Sequence, residues 1–297
     1  MFVKNSTGKL KQVLMSYPQY LSIEPINVIS KHFKDHQLDK KKIDEEFNLL
    51  VQTYQNLGIE VFFLPPSETY PDSVFARDFG ACLKDGYILG RFKHEYRKNE
   101  RKAYEKKMQE LNIPQLFKIH EGYFEGGDFF FLDDKTIVIG LLERTNQIGY
   151  QEIKEHFKNQ YEVLFVKSDP EFLHLDMCFN LIDEHLALIC KEAFDISFLQ
   201  VVTPYEIETF KEQTQITVPQ ELQKRKIELI EVSKEDIFRH GLNVQALGDK
   251  KVLALKKNHD INLQIKQKGY EVIELDITEI LKCGGGIHCM TFPLKRI

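Results

Sequence analysis

Apolar residues gather along this chain in short runs broken by tight polar turns, and the pattern recurs. ACLKDGYIL (81–89), FFFLDDKTIVIG (129–140), CFNLIDEHLALIC (178–190) and NVQALGDKKVLAL (243–255) each place apolar runs on both sides of a turn rich in Asp, Gly or Lys. That is the composition of a β-hairpin. The first three turns, near Asp85, Asp134 and Glu184, lie about fifty residues apart, and the fourth, near Asp249, somewhat farther on; such spacing marks repeated supersecondary units.

Other periods fill the intervals. Ile43, Phe47, Leu50, Val51, Tyr54 and Leu57 fall on one helical face, with Gly58 placed to end the helix. EYRKNERKAYEKKMQELN (95–112) predicts a charged surface helix that stops before Pro114, and 146–158 and 259–268 predict shorter ones. Extended apolar runs come next: IEVFFL (59–64), YEVLFV (161–166), IELIEV (227–232) and YEVIEL (270–275). The unit is strand, strand, helix, strand, with the helix of the fourth unit poorly marked. Five such α/β units close into a ring if residues 1–60 and the C-terminal strand complete one another. No Pro/Gly/Ser-rich linker interrupts the series, so the expectation is one domain over residues 1–297.

Composition narrows the class without naming it. Charged residues are 29% and hydrophobic residues 42%, ordinary for a globular protein. A net charge of −5 offers no general attraction to nucleic acid or anionic lipid. No apolar run approaches the ~20 residues of a membrane span, and MFVKNSTGKLKQ lacks the apolar core of a signal peptide. Five cysteines without framework spacing read as reduced thiols in a cytoplasm.

Short polar motifs stand at the approach to each hairpin: PDSVFARD (71–78), EGGD (125–128), HLD (174–176) and GLN (241–243), with CGGGIHCM (283–290) near the C-terminus. In a closed ring, equivalent positions face one axis, so Asp78, Glu125, His174, Asp176 and Cys289 converge across more than two hundred residues of sequence. Each has a blander reading. A lone cysteine is usually inert packing, but the three glycines before Cys289 let backbone approach a ligand closely. His174 alone reads as structural or surface; Asp176 points the same way if HLD is extended. Gly126-Gly127 reads equally as a bulge with Glu125 and Asp128 solvated. Arg97 reads as part of an exposed helix face, and Arg144 as part of a helix start near Asn146. Zinc at Cys283, His288 and Cys289 is rejected, because neither CxxC pairs nor a second His/Cys cluster is present. Phosphate-loop and dinucleotide spacings are absent too.

Taken in order, F-x-R-D, E-G-G-D, R-T-N, H-L-D and G-G-G-x-H-C-M-T resemble the guanidine-modifying superfamily of arginine deiminases, dimethylarginine dimethylaminohydrolases and amidinotransferases, from about residue 8 to residue 296. The resemblance implies a five-bladed ββαβ propeller, the pentein fold. It implies Cys289 as nucleophile, His174 as its acid–base partner and Glu125 as the carboxylate beside histidine and substrate. Asp78 and Asp176 match carboxylates that grip the guanidinium nitrogens, and Asp72 a substrate-contacting Asp of the dimethylarginine hydrolases. Arg97 and Arg144 match the two arginines that bind the substrate's α-carboxylate. The branch signals are mixed. Chain length resembles the dimethylarginine hydrolases; Arg77 and Asp176 resemble the deiminases. YPQY (17–20) and PDSVF resemble an arginine dihydrolase branch that typically has Asn in place of Asp78.

The implied reaction is hydrolysis of a guanidinium C–N bond of arginine or an Nω-methylarginine. It gives citrulline through a covalent thiouronium and needs neither metal nor organic cofactor. The expected partner is a small-molecule substrate, not nucleic acid or membrane, with a homodimer left open. An amidinotransferase passing the amidino group to an amine is the first alternative, and a non-catalytic propeller binding protein the second. Residues 17–36, polar and irregular, are the expected lid.

Overall fold

In a computed structural model, which describes residues 2–194, 199–200 and 215–297, the four expected hairpins form at their expected places. Each hairpin is antiparallel, and its second strand pairs in parallel with the strand that follows the unit's helix. Gly80–Leu83 and Gly86–Leu89 thus join Gln115–Lys118, and Phe129–Phe131 and Thr136–Leu141 join Glu162–Lys167. Phe179–Asp183 and Leu186–Ile189 join Glu228–Glu231, and Gln245–Gly248 and Lys251–Leu255 join Glu271–Leu275. The fifth sheet is assembled from both parts of the sequence left over: Phe292–Arg296 runs antiparallel to Leu10–Ser16, which pairs in parallel with Glu60–Leu64. Five small sheets result, one per expected unit. The second, that of Phe129–Phe131, Thr136–Leu141 and Glu162–Lys167, carries two further short strands, Leu199–Gln200 and Gln215–Ile216, which the hydrophobic pattern does not predict.

Hairpin strands are buried on both faces, so their residues read as near-continuous apolar runs. The two faces serve different apolar clusters. Val13, Met15, Phe130 and Val138 belong to one, and their neighbours Leu14, Phe129, Phe131, Ile137 and Ile139 to the other. The clusters thus lie on opposite faces of shared strands, as side-chain alternation requires.

The helices close over these sheets as the periodicity predicts. Lys40–Asn56 buries Ile43, Phe47, Leu50, Val51 and Tyr54, and starts at Asp39, whose side chain accepts from the Lys42 N–H. Two of its residues reach the C-terminal motif. The buried Glu46 carboxylate accepts from the backbone N–H groups of Thr278 (2.8 Å), Glu279 (2.8 Å) and Ile280 (3.2 Å). Tyr54 Oη lies 2.7 Å from Thr291 Oγ1. The loop that carries Cys289 is therefore held on both sides by one helix. No helix among the described residues is long and apolar enough to cross a membrane.

Candidate active site

Three of the polar motifs occupy equivalent positions, in single helical turns that lead into the first strand of a sheet. Pro71–Val74 and Ala76–Phe79 precede Gly80; Gly126–Asp128 precedes Phe129; Leu175–Cys178 precedes Phe179. Ile280–Cys283 opens the loop that brings Cys289 ahead of Phe292–Arg296. HLD is not a plain extended segment. His174 is extended, but it stands as the N-cap of Leu175–Cys178, so Asp176 already lies in a helical turn. The two side chains still reach one site, from a cap and a first turn.

His174 Nε2 lies 3.1 Å from Glu125 Oε2, and its Nδ1 lies 3.7 Å from Asp78 Oδ1 without a hydrogen bond. Asp176 Oδ2 takes contacts from His288 Nδ1 at 2.7 Å and from Cys289 Sγ at 3.5 Å. These groups are buried. Close approach explains the glycines: a Cβ on Gly127 would fall 2.8 Å from the His174 ring, and one on Gly286 2.6 Å from Asn243 Oδ1. Asp128, read from sequence as solvated in the bland alternative, is buried and ties two motifs together. It accepts from Thr145 Oγ1 at 2.6 Å and from the Leu175 N–H at 2.8 Å.

A pocket of about 300 Å³ brings together Asp72, Asp78, Arg97, Arg144, His174, Cys283 and Cys289, with Ile26 and Asn27 of the expected lid segment in its wall. Glu125 stands behind His174 and Asp176 beside the sulfur. Neither arginine is an exposed helix residue. Arg144 donates from Nη1 to Glu125 Oε2 at 3.2 Å, its Nε rests against Glu143, and its Nη2 makes no hydrogen bond among the described residues. Arg97 is far more engaged. It grips Glu100 through Nε and Nη2, both at 2.9 Å, meets Asp78 Oδ2 at 2.6 Å through Nη1, and donates to the Phe75 carbonyl.

The electrostatics follow from this packing. Burial alone would lower His174, but Asp78, Asp128 and Glu125 outweigh it and hold the imidazolium up to about 10. Burial would raise Glu125, but Arg144, His174 and Arg97 bring it down to about 2. Burial raises Asp78 and Asp72, offset in part by His174 and Arg97 at the first and by Arg97 at the second. The Cys289 thiol is pushed well up by burial and by the Asp176 and Asp78 carboxylates. These groups favour the thiol over the thiolate. Burial drives His288 down to about 4, so the neutral ring donates its Nδ1–H to the ionised Asp176.

Sequence reasoning missed Asn243. Its Oδ1 accepts from the backbone N–H of His288 (3.0 Å) and Cys289 (3.2 Å), which fixes the amide so that Nδ2 points at Cys289 Sγ, 3.1 Å away. The only signal was its place in GLN, the fourth hairpin's approach motif. Tyr96 was missed too; its hydroxyl donates to Asp72 Oδ2 at 2.7 Å.

Among the described residues, Asp72 Oδ1, Asp78 Oδ1, Asp176 Oδ1 and His174 Nδ1 are buried without a hydrogen-bond partner, as are Arg144 Nε and Glu143 Oε2, which only face each other. The three Asp oxygens are acceptors, which calls for a ligand rich in N–H donors. One ligand atom each of Asp78, Glu125 and His174 lie within 4.8 Å of one another, the spacing of a metal site. Arg97 and Arg144 already neutralise those two carboxylates, which opposes a dication there.

Comparison with known proteins agrees with this arrangement. The family model described as "N,N dimethylarginine dimethylhydrolase, eukaryotic" matches residues 17–296. An uncharacterized Bacillus subtilis protein, YkgA, is 29% identical over 97% of this chain and 93% of its own length. The N(G),N(G)-dimethylarginine dimethylaminohydrolase of Mycobacterium tuberculosis is 26% identical over 86% of this chain and 77% of its own. Among solved structures, the N-terminal domain of ArgZ, an arginine dihydrolase from the cyanobacterial ornithine–ammonia cycle, has a TM-score of 0.80 at 21% identity. It covers 97% of this chain and 98% of its own.

Proposed function

The chain belongs to the N,N dimethylarginine dimethylhydrolase family, and from that premise we propose that it is a cysteine hydrolase of the guanidinium C–N bond, acting on arginine in preference to its dimethylated form. The supporting observation is the set of unpartnered buried acceptors, Asp72 Oδ1, Asp78 Oδ1 and Asp176 Oδ1. A guanidinium group offers planar N–H donors that match such oxygens in charge and geometry. Dimethylating a terminal nitrogen removes donors and leaves a carboxylate oxygen unmet.

The reading assigns one role to each group. Substrate binding places a cation beside Cys289 and counters the carboxylates that keep the thiol protonated, which favours the thiolate. The sulfur attacks the guanidinium carbon, and His174, protonated at neutral pH, gives its Nδ1 proton to the departing nitrogen. Ammonia leaves, a thiouronium remains on Cys289, and water activated by the now neutral His174 releases citrulline. Glu125 keeps the ring oriented through Nε2. Arg144 meets the α-carboxylate with its unused Nη2. Arg97 adds positive charge to the pocket wall and holds Asp78 in place. The same reading takes residues 1–297 as one domain, with its five sheets closed into a propeller.

The test is product analysis after incubation with arginine, monomethylarginine, asymmetric dimethylarginine and agmatine, each with and without glycine as amine acceptor. Citrulline from arginine, lost in Cys289→Ser and kept in Cys283→Ser, supports the reading. Guanidinoacetate formed with glycine would make the protein an amidinotransferase, and a covalent adduct on Cys283 would show that the wrong thiol was chosen.

A further inference from the structure

A second, small pocket, partly open to solvent, shares no lining residue with the pocket of Cys289. Arg77, His288 and Arg296 line it, together with Asn5, Ser6 and apolar side chains. Arg77 and His288 each directly precede a residue of the catalytic pocket, so consecutive residues face the two cavities.

Both arginines are buried, at 8% and 2% exposure, and among the described residues neither forms an ion pair with any carboxylate. Their contacts are backbone carbonyls. Arg77 donates from Nε to Gly126 at 3.1 Å and from Nη2 to Phe129 at 2.9 Å. Arg296 donates from Nη1 to Gly8 at 2.6 Å and from Nη2 to Ala246 at 2.9 Å. Among the described residues, Arg77 Nη1 and Arg296 Nε make no hydrogen bond. The other polar groups of the wall add donors. The Ser6 oxygen already accepts from the Phe131 N–H at 2.9 Å, which leaves its O–H to give, and Asn5 uses its Oδ1 on the Gly8 N–H, which leaves its amide. His288 turns Nδ1 away to Asp176.

Two guanidinium charges lining one pocket repel each other. Burial, then Arg77, brings Arg296 down to about 9, and burial lowers Arg77 as well. Buried charges in proteins are ordinarily paired, and an uncompensated one is costly. Asp176 and Asp78 offset part of the Arg77 charge without reaching ion-pair distance, and no carboxylate among the described residues offsets Arg296.

We propose that this cavity binds a compact inorganic anion, a halide or a phosphate-sized oxyanion, between the guanidinium groups of Arg77 and Arg296. The inference does not depend on the reaction at Cys289. Bound there, the anion would also steady that cysteine, because the Arg77 backbone N–H donates to the Cys289 carbonyl at 2.9 Å.

Thermal unfolding in sodium gluconate at fixed ionic strength, with gluconate replaced stepwise by chloride, bromide or phosphate, tests the proposal. The expected result is a saturating rise of roughly 3–6 °C with at least one of these salts, absent in Arg296→Gln. Which salt saturates separates halide from oxyanion. No saturating rise with any of them, or the same rise in the variant, would overturn the site. Should Arg296→Gln not fold, crystals of the unaltered protein grown in sodium bromide or sodium phosphate decide the matter. An anomalous peak or tetrahedral density touching both Arg77 Nη1 and Arg296 Nε supports it. Water alone in both crystals overturns it.

Discussion

Asn243 offers a direct way to weigh the surroundings of the sulfur. Its Nδ2–H lies 3.1 Å from Cys289 Sγ, in a pocket where two carboxylates oppose the thiolate. A hydrogen bond to a charged group contributes about 1.5–3 kcal/mol, and each pKa unit is about 1.4 kcal/mol. Losing the donor should therefore raise the thiol further. At neutral pH kcat/KM should fall roughly ten- to a hundredfold. Asn243→Ala removes the donor and also the acceptor that holds the His288 and Cys289 N–H groups, so loop disorder would contribute to its loss. Asn243→Asp keeps that acceptor and replaces the donor with a third carboxylate, which isolates the electrostatic part. The assay is the pH dependence of iodoacetamide labelling, read by mass spectrometry on the Cys289 peptide in all three proteins. Both variants should shift the profile upward. Asn243→Asp with an unshifted profile and unchanged kcat would refute the reasoning.

Two further outcomes are expected. In Asp176→Ala, arginine should lose more kcat/KM than asymmetric dimethylarginine, because a buried acceptor robbed of its donor costs about 1–3 kcal/mol or more, roughly ten- to over a hundredfold; equal losses would show that Asp176 does not read the terminal nitrogens. His174, held up at about 10 from an ordinary 6.5, should contribute stability that is fully present below about pH 6.5 and lost as pH rises through about 10. NMR of labelled histidine should show that high midpoint and a lower one in Asp78→Asn; a wild-type midpoint near 6.5 would contradict the assigned contacts.

The sheets were legible in sequence because their strands are buried on both faces and read as unbroken apolar runs around Asp- and Gly-rich turns. Convergence of the motifs was legible from repeat phase, since each sits one step ahead of a first strand. Contact partners were not. Arg97 stands three residues from Glu100, a spacing that permits pairing on a helix, but charge patterning cannot say that the pair is buried against Asp78. His174 caps a helical turn without the Ser, Thr, Asp or Asn that usually announces one. Asn243 acts on a loop more than forty residues away, and a lone Asn in GLN gives no hint of that. The poorly marked fourth helix, Val218–Lys224, did have a readable start: Thr217 and Gln220 form a capping box with Pro219 beside it.

The joining of Leu10–Ser16 to Phe292–Arg296 also governs when the protein becomes competent during its manufacture. A ribosome releases residues in order, and strand Leu10–Ser16 emerges with one neighbour, Glu60–Leu64, soon available and the other still untranslated. Closing a loop of that length adds little entropy beyond a shorter one, but the partner must exist first. Cys289 stands three positions ahead of that late strand, and its loop is clasped by Glu46 and Tyr54 from the early part. A nascent chain can thus hold four sheets in shape while its sulfur is unplaced. Activity should switch on in one step once Phe292–Arg296 has emerged, and a ribosome stalled before residue 292 should carry a largely folded, inert protein.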